Sequence, residues 1–315
     1  MRKAFVLALV ELARKDPKIL LLTADLGYLT VEPFVEEFPD RFFNVGVSEQ
    51  NMLGLATGLA ESGYLPFLYS IIPFAILRPY EALRNGPVMH ALPVRIAGVG
   101  AGMDYSTNGA THYGLEDVGA LRLQPGMNII CPADFEQTTT ALNATYNMPG
   151  PVYYRLGRDD VNRVPGLNGR FDVGRLNVVR DGADILLLAM GNAALEACGA
   201  ADILQSQGVS ATVAVVASVS PPPISDLAKM LGKFPLAVTA ETHYVTGGLG
   251  SLVCEVVAGH GIACRVVRCG IDRLPDGRTG GQQFMNDRYG ISAAKIAERA
   301  SNELSAGRRE ITSAL

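Results

Sequence analysis

Asn44-Val45-Gly46-Val47-Ser48-Glu49-Gln50-Asn51 sets a single carboxylate between an apolar run, Phe42–Val47, and a stretch rich in small residues, Met52–Glu61. A short β-branched run that opens into a helix is the unit from which parallel α/β sheets are built, and Glu49 falls at the mouth of such a sheet. Flanked by Val45, Val47, Met52 and Leu53, its carboxyl is expected where water is scarce and where its pKa matters. The residue also suits a plain helix start, favoured by the macrodipole and partnered with the Ser48 hydroxyl. The octapeptide by itself leaves both readings open.

Outward from it the same alternation continues. Lys18–Ala24 (KILLLTA) reads as a buried strand, and Asp25-Leu26-Gly27 turns the chain. Tyr64–Tyr69, Val94–Val99, Asn128–Cys131 and Val152–Leu156 read as further strands, with helical patterns between them. Such βα alternation predicts a mostly parallel sheet covered on both faces. Residues 158–182 are polar and punctuated by Gly and Pro, which predicts a linker leading into a hairpin. A second α/β set follows: strands at Ile185–Met190, Ala211–Ala217, Leu236–Ala240 and Cys264–Cys269, helices at Ala193–Gln207 and from the Gly-rich turn 247–250 to about Gly259, and a short helix after Pro221-Pro222-Pro223. The expected fold class is therefore α/β, with two doubly wound domains at 1–165 and 183–315 joined by a linker at 166–182. No internal repeat is evident.

Composition describes a compact globular protein and argues against other classes. At 315 residues the chain suits two domains, and its 48% hydrophobic and 18% charged fractions are those of a folded protein. A net charge of −4 provides no basic stripe for nucleic acid. Five scattered cysteines, without C-x-x-C or metal spacing, fit a reducing cytoplasm better than a disulfide framework. Met1-Arg2-Lys3 followed by AFVLALV mimics a signal peptide, yet Glu11, Arg14 and Lys15 interrupt it, so an amphipathic first helix is expected. No apolar run reaches membrane-spanning length.

The stretch around Glu49 resembles the pyrimidine-binding half of thiamine diphosphate enzymes of the transketolase family, and the resemblance continues in order. Residues 66–84 (PFLYSIIPFAILRPYEALR) are similar to that family's cofactor-stacking segment, 109–134 (GATHYGLEDVGALRLQPGMNIICPAD) to its Thr-His loop and following helix, and 239–257 (TAETHYVTGGLGSLVCEVV) to its C-terminal domain motif. The resemblance implies that Glu49 bonds to the aminopyrimidine ring of the cofactor and favours the tautomer that activates it. Phe74 is then the aromatic surface under that ring, with Ile72 and Arg78 as neighbouring cofactor contacts. His112 is implied to face the reacting centre as a hydrogen-bond donor or proton carrier near neutral pH. As plain structure, Phe74 is a core residue and His112 caps the helix beginning near Leu115.

Several features depart from the family pattern. Asn108 stands where an Asp reads the donor hydroxyl, and Gly100 stands where classical members have a further His. Arg158, with Arg155 before it, matches a phosphate-contacting Arg, so both are expected substrate contacts; the alternative for both is a solvated strand end. The acceptor is accordingly expected to be an unphosphorylated or otherwise unusual sugar.

The Gly-Asp-Gly segment that binds Mg²⁺ (or Ca²⁺), and through it the diphosphate, does not occur. The resemblance therefore implies a partner, an N-terminal transketolase subunit carrying the metal and diphosphate, in an α₂β₂ assembly. Gly54 and Gly58, with Ala56 and Ala60, permit close helix approach in such an assembly. The Gly-rich turn 247–250 reads as structural. Alternatives are the beta subunit of a 2-oxo acid dehydrogenase decarboxylating component, a 1-deoxyxylulose-5-phosphate synthase-like enzyme, and a non-catalytic scaffold subunit.

Overall fold

In the computed structural model, which describes the backbone of residues 1–313 and side chains through 306, two sheets carry the chain. The elements of the first half are α1 (Arg2–Lys15), β1 (Ile19–Thr23), α2 (Glu32–Glu37), β2 (Phe42–Asn44), α3 (Glu49–Glu61), β3 (Leu65–Ile71), α4 (Tyr80–Leu83), β4 (Arg95–Val99), α5 (Asp117–Arg122), β5 (Asn128–Ile130), α6 (Phe135–Thr145) and β6 (Val152–Leu156). The second half comprises β7 (Asn177–Arg180), β8 (Ile185–Met190), α7 (Ala193–Ser206), β9 (Ala211–Val215), β10 (Ser218–Ser220), α8 (Ile224–Leu231), β11 (Leu236–Tyr244), α9 (Leu249–His260), β12 (Arg265–Ile271), α10 (Gln282–Arg288) and α11 (Ala293–Ser313).

The first sheet runs β10-β5-β6-β4-β3-β1-β2 and is parallel except for β10; the second runs β12-β11-β8-β9-β7 and is parallel except for β7. β1, β3, β4 and β6 are buried along their whole length, as strands covered on both faces must be. One apolar cluster covers a face of the first sheet with α1 and α6. A second joins the opposite face, including Met52, Ile96 and Tyr153, to Leu186, Leu188 and Val253 of the second unit. A third packs α7 and α11 on the far side of the second sheet. Among the described residues no helix is long and apolar enough to cross a membrane.

Three expectations need revision. The strand expected over 42–47 stops at Asn44, because Gly46 turns the chain at a positive φ of 74°. No hairpin forms in 158–182. β7 instead pairs antiparallel with β9 at a sheet edge, and residues 158–176 are turns. The strand expected over 211–217 ends at Val215 as β9 of the second sheet, and a further strand that was not expected, β10, follows it and crosses to pair antiparallel with β5 of the first. A three-residue strand carries little pattern of its own, so only the tertiary partner reveals it.

Candidate active site

The parallel arrangement aligns the C-terminal ends of β1, β2 and β3, where α/β sheets place their ligand crevices. Glu49 is the first residue of α3 and is buried, with 3% of its surface exposed. Ser48 makes no side-chain cap; the partner of Glu49 is Arg78, whose Nη1 donates to its Oε2 at 2.9 Å. Arg78 is half exposed and lies over the Phe74 ring, 4.2 Å from the centroid. The His112 ring meets the same phenyl ring edge to face at 5.2 Å. Four residues from three separated stretches thus form one continuous chain, Glu49–Arg78–Phe74–His112.

Local structure explains how they are presented. After β3 the backbone widens into π-helical turns at 73–77 and 84–88, a geometry that concentrates at functional sites because it re-aims side chains. Phe74 lies in the first of these turns, and Arg78 follows it directly. His112 ends a single 3₁₀ turn, and its Nδ1 lies 3.0 Å from the Thr111 hydroxyl. It is partly exposed and caps no helix, since α5 begins five residues later. Val47, Leu77 and Arg78 are exposed around the cluster, so it opens to the surface.

Other expected residues fall elsewhere. Ile72 is buried and packs against Gly98 and Gly114; it supports the wall from behind and offers no face of its own. Asn108 is exposed at the end of the 106–108 turn. Arg158 is exposed, stacks over Tyr105 at 4.5 Å and donates to the Asp104 carbonyl at 3.0 Å. Arg155 must be corrected. It is neither a solvated strand end nor open to a sugar: it is 1% exposed, and its donors are committed to Asp117, Gly114 and Thr242. Position in the strand decides this, since Arg155 lies within β6, which is buried on both faces, while Arg158 lies beyond its end.

Two features lie outside the expected set. Asp25 adopts a left-handed conformation (φ 56°), uncommon without Gly, and exchanges hydrogen bonds with Asn44: its N–H donates to Asn44 Oδ1 at 3.0 Å, and Asn44 Nδ2 donates to its Oδ1 at 3.2 Å. Both line a cavity of about 320 Å³ with Thr23, whose buried hydroxyl has no hydrogen-bond partner. The Asp-Leu-Gly turn after a buried strand was the available signal.

The second feature is Asp104. It accepts from Arg158 N–H at 2.8 Å, Gln282 Nε2 at 2.9 Å and Asn192 Nδ2 at 3.2 Å. Desolvation pushes its pKa up to about 6 against the pull of the Arg158 N–H and the Arg155 charge. At Gly100, φ is +86° and any side chain would run into the Tyr105 ring, so Tyr105 fills the space that a longer residue there would need.

Residues 1–163 match the model of the transketolase pyrimidine-binding domain, and residues 174–296 match that of the transketolase C-terminal domain. A putative transketolase C-terminal section from Methanocaldococcus jannaschii is 35% identical over 307 residues, 96% of each chain. The 6-deoxy-6-sulfo-D-fructose transketolase subunit SqwH of Clostridium sp. is 35% identical over 305 residues, 96% of this chain and 94% of that one. A solved split gene transketolase, described as an inactive beta4 tetramer, superposes with a TM-score of 0.86 at 35% identity, covering 96% of this chain and 97% of the other. Two domain models in succession, and relatives matched over nearly their whole length, show that the chain belongs to the transketolase family.

Proposed function

We propose that the chain is a subunit of a thiamine diphosphate-dependent transketolase. It would transfer a two-carbon ketol unit between sugars together with a separate diphosphate-binding subunit. The observation that carries the reading is the continuous Glu49–Arg78–Phe74–His112 cluster at the mouth of the first sheet. These residues fit the cofactor's pyrimidine: a buried carboxylate to bond a ring nitrogen, an aromatic face to stack on, and a displaceable cation over that face. Aromatic stacking of this kind adds about 0.5–1.5 kcal/mol beyond burial.

When bound, thiamine diphosphate supplies the electron sink that lets a ketose C–C bond break. Glu49, at the start of α3, would share a proton with the pyrimidine ring nitrogen. His112 donates to, or accepts from, the substrate oxygen, while the Phe74 ring keeps water from its edge. Asn108, in the loop that carries His112, and Arg158, which follows β6 and stacks on Tyr105 of that loop, would bind the sugar hydroxyls and its distal end. Mg²⁺ (or Ca²⁺), held by oxygen ligands of the partner, would anchor the diphosphate.

The split-subunit relatives support the partner, and the beta4 tetramer supports self-association. The exposed Val47, Leu55, Leu77 and Met89, with open space beyond Gly54 and Gly58, are the surface such partners would cover. Five free cysteines fit a cytoplasmic location.

The test is calorimetric titration of thiamine diphosphate and Mg²⁺ into the chain with and without a diphosphate-binding transketolase subunit, followed by a ketose-cleavage assay. Cofactor binding and ketol transfer only in the mixture are expected. Pyruvate or branched 2-oxo acid decarboxylation with an artificial electron acceptor, and no ketose cleavage, would assign a dehydrogenase component instead. No cofactor binding in either case would indicate a scaffold.

A further inference from the structure

The segment carrying His112 is held from behind by a sealed network that the reading of the site does not use. The Arg155 Nε donates to Asp117 Oδ2 at 2.8 Å, and its Nη2 donates to both the Gly114 and Thr242 carbonyls at 2.8 Å. Tyr153 Oη donates to the same Asp117 oxygen at 2.6 Å, while Asp117 Oδ1 has no hydrogen-bond partner. Asp117 and Arg155 side chains are both fully buried.

Gly114 lies two residues after His112, and Thr242 belongs to β11 of the second sheet. The contact continues along that strand: Tyr244 N–H donates to the Leu115 carbonyl at 3.0 Å, and Gly119 N–H donates to His243 Nε2 at 3.2 Å. Tyr113, next to His112, is buried in an apolar cluster with Ile271, Met285, Tyr289 and Ile291 from the C-terminal part of the chain. Close approach is built in, because a side chain at Gly114 would collide with Ile72 and one at Gly102 with Thr242.

We infer that Arg155 is a positioning residue for His112, a fork through which the second domain fixes the active-site segment by tying Asp117, Gly114 and Thr242 together. The inference rests on His112 being the group at the reacting centre. A guanidinium is required because one planar donor set must reach a carboxylate and two carbonyls in different directions. A lysine preserves the charge and the pairing with Asp117, but its single ammonium cannot span all three.

The experiment uses Arg155→Lys, assayed as the complex reconstituted with the partner subunit, and the ¹H–¹³C imidazole resonances of the chain's four histidines. Turnover is expected to fall about 10- to 100-fold with KM within about threefold, the signature of a misplaced catalytic group. The His112 resonance is expected to move while those of His90 and His260 stay in place. A folded Arg155→Lys with unchanged turnover and unchanged His112 resonance would overturn the inference. If that variant does not fold, Tyr153→Phe weakens the same Asp117 anchor with the ring retained; the His112 resonance is expected to move in it, and an unmoved resonance overturns the inference equally. His112→Ala separates the two levels. Retained turnover in that variant removes the catalytic reading of His112, while the resonance measurement still decides whether Arg155 positions it.

Discussion

Two clusters in this chain use almost the same side-chain types for opposite ends. At the mouth of the first sheet, Glu49 pairs with Arg78, which lies over Phe74 and leads to His112. Between the sheets, Asp117 pairs with Arg155, beside Tyr153 and His243. The first arginine is 49% exposed and reaches its carboxylate through one nitrogen; the second is sealed and donates to three groups. The first can therefore be displaced by a ligand at small cost, while the second cannot move without stranding a buried charge. Residue type does not separate a working site from its scaffold; solvent access and the number of committed hydrogen bonds do.

The sharpest way to break the comparison is Glu49→Ala. Turnover of the partner-reconstituted complex should fall by about 10³-fold or more, with the melting temperature of the chain little changed. Full turnover would remove the mouth cluster from the chemistry.

Asp117→Ala should do the reverse, lowering unfolding free energy in urea by about 3–5 kcal/mol because Arg155 is left buried without its counter-charge. A loss below 1 kcal/mol would show that the sealed pair does not anchor the fold. The charge-free double variant Asp117→Leu/Arg155→Met should recover most of that loss, which distinguishes the stranded charge from the lost packing.

The sealed cluster also predicts a pH signature. Burial pushes Glu241 up to about 7, although the Leu249 and Gly250 N–H groups donate to it and oppose the shift. From the ordinary 4.5 to about 7, the native chain binds more protons than the unfolded one, so the contribution of Glu241 is full below 4.5 and is lost as pH rises through 7. His243 runs oppositely. Burial pushes it down to about 4, and its Nε2 accepts from Gly119, which fixes the neutral ring; its contribution is full above 6.5 and is lost as pH falls through 4. In Glu241→Gln, stability relative to the parent chain should rise between pH 4.5 and 7 by on the order of 2 kcal/mol. Parallel pH profiles for the two proteins would contradict this.

The smallest effect belongs to the open pair. Arg78→Gln should change unfolding free energy by less than about 1 kcal/mol, as expected of a half-exposed ion pair. It should alter thiamine diphosphate affinity in the reconstituted complex by calorimetry. A stability loss as large as that of Asp117→Ala would mean that the two clusters are not different in kind.

Sequence alone determined the two-sheet α/β architecture and the place of Glu49 at a strand-to-helix junction, and it singled out Phe74 and His112 as candidates. These are local matters: strand and helix periods, turn residues and short motifs are written within a few positions of one another. The tertiary structure decided what needed distant partners. Arg155 and Arg158 sit three residues apart, yet the covering of both faces of β6 and the arrival of Thr242, 87 residues away from Arg155, bury one, while the other lies beyond the strand in water. The crossing of β10, the Asp25–Asn44 pair, and the grip of Tyr113 and Thr242 behind His112 depend likewise on segments far apart in the chain. Burial and hydrogen-bond commitment are properties of what meets in space, and no local pattern specifies them.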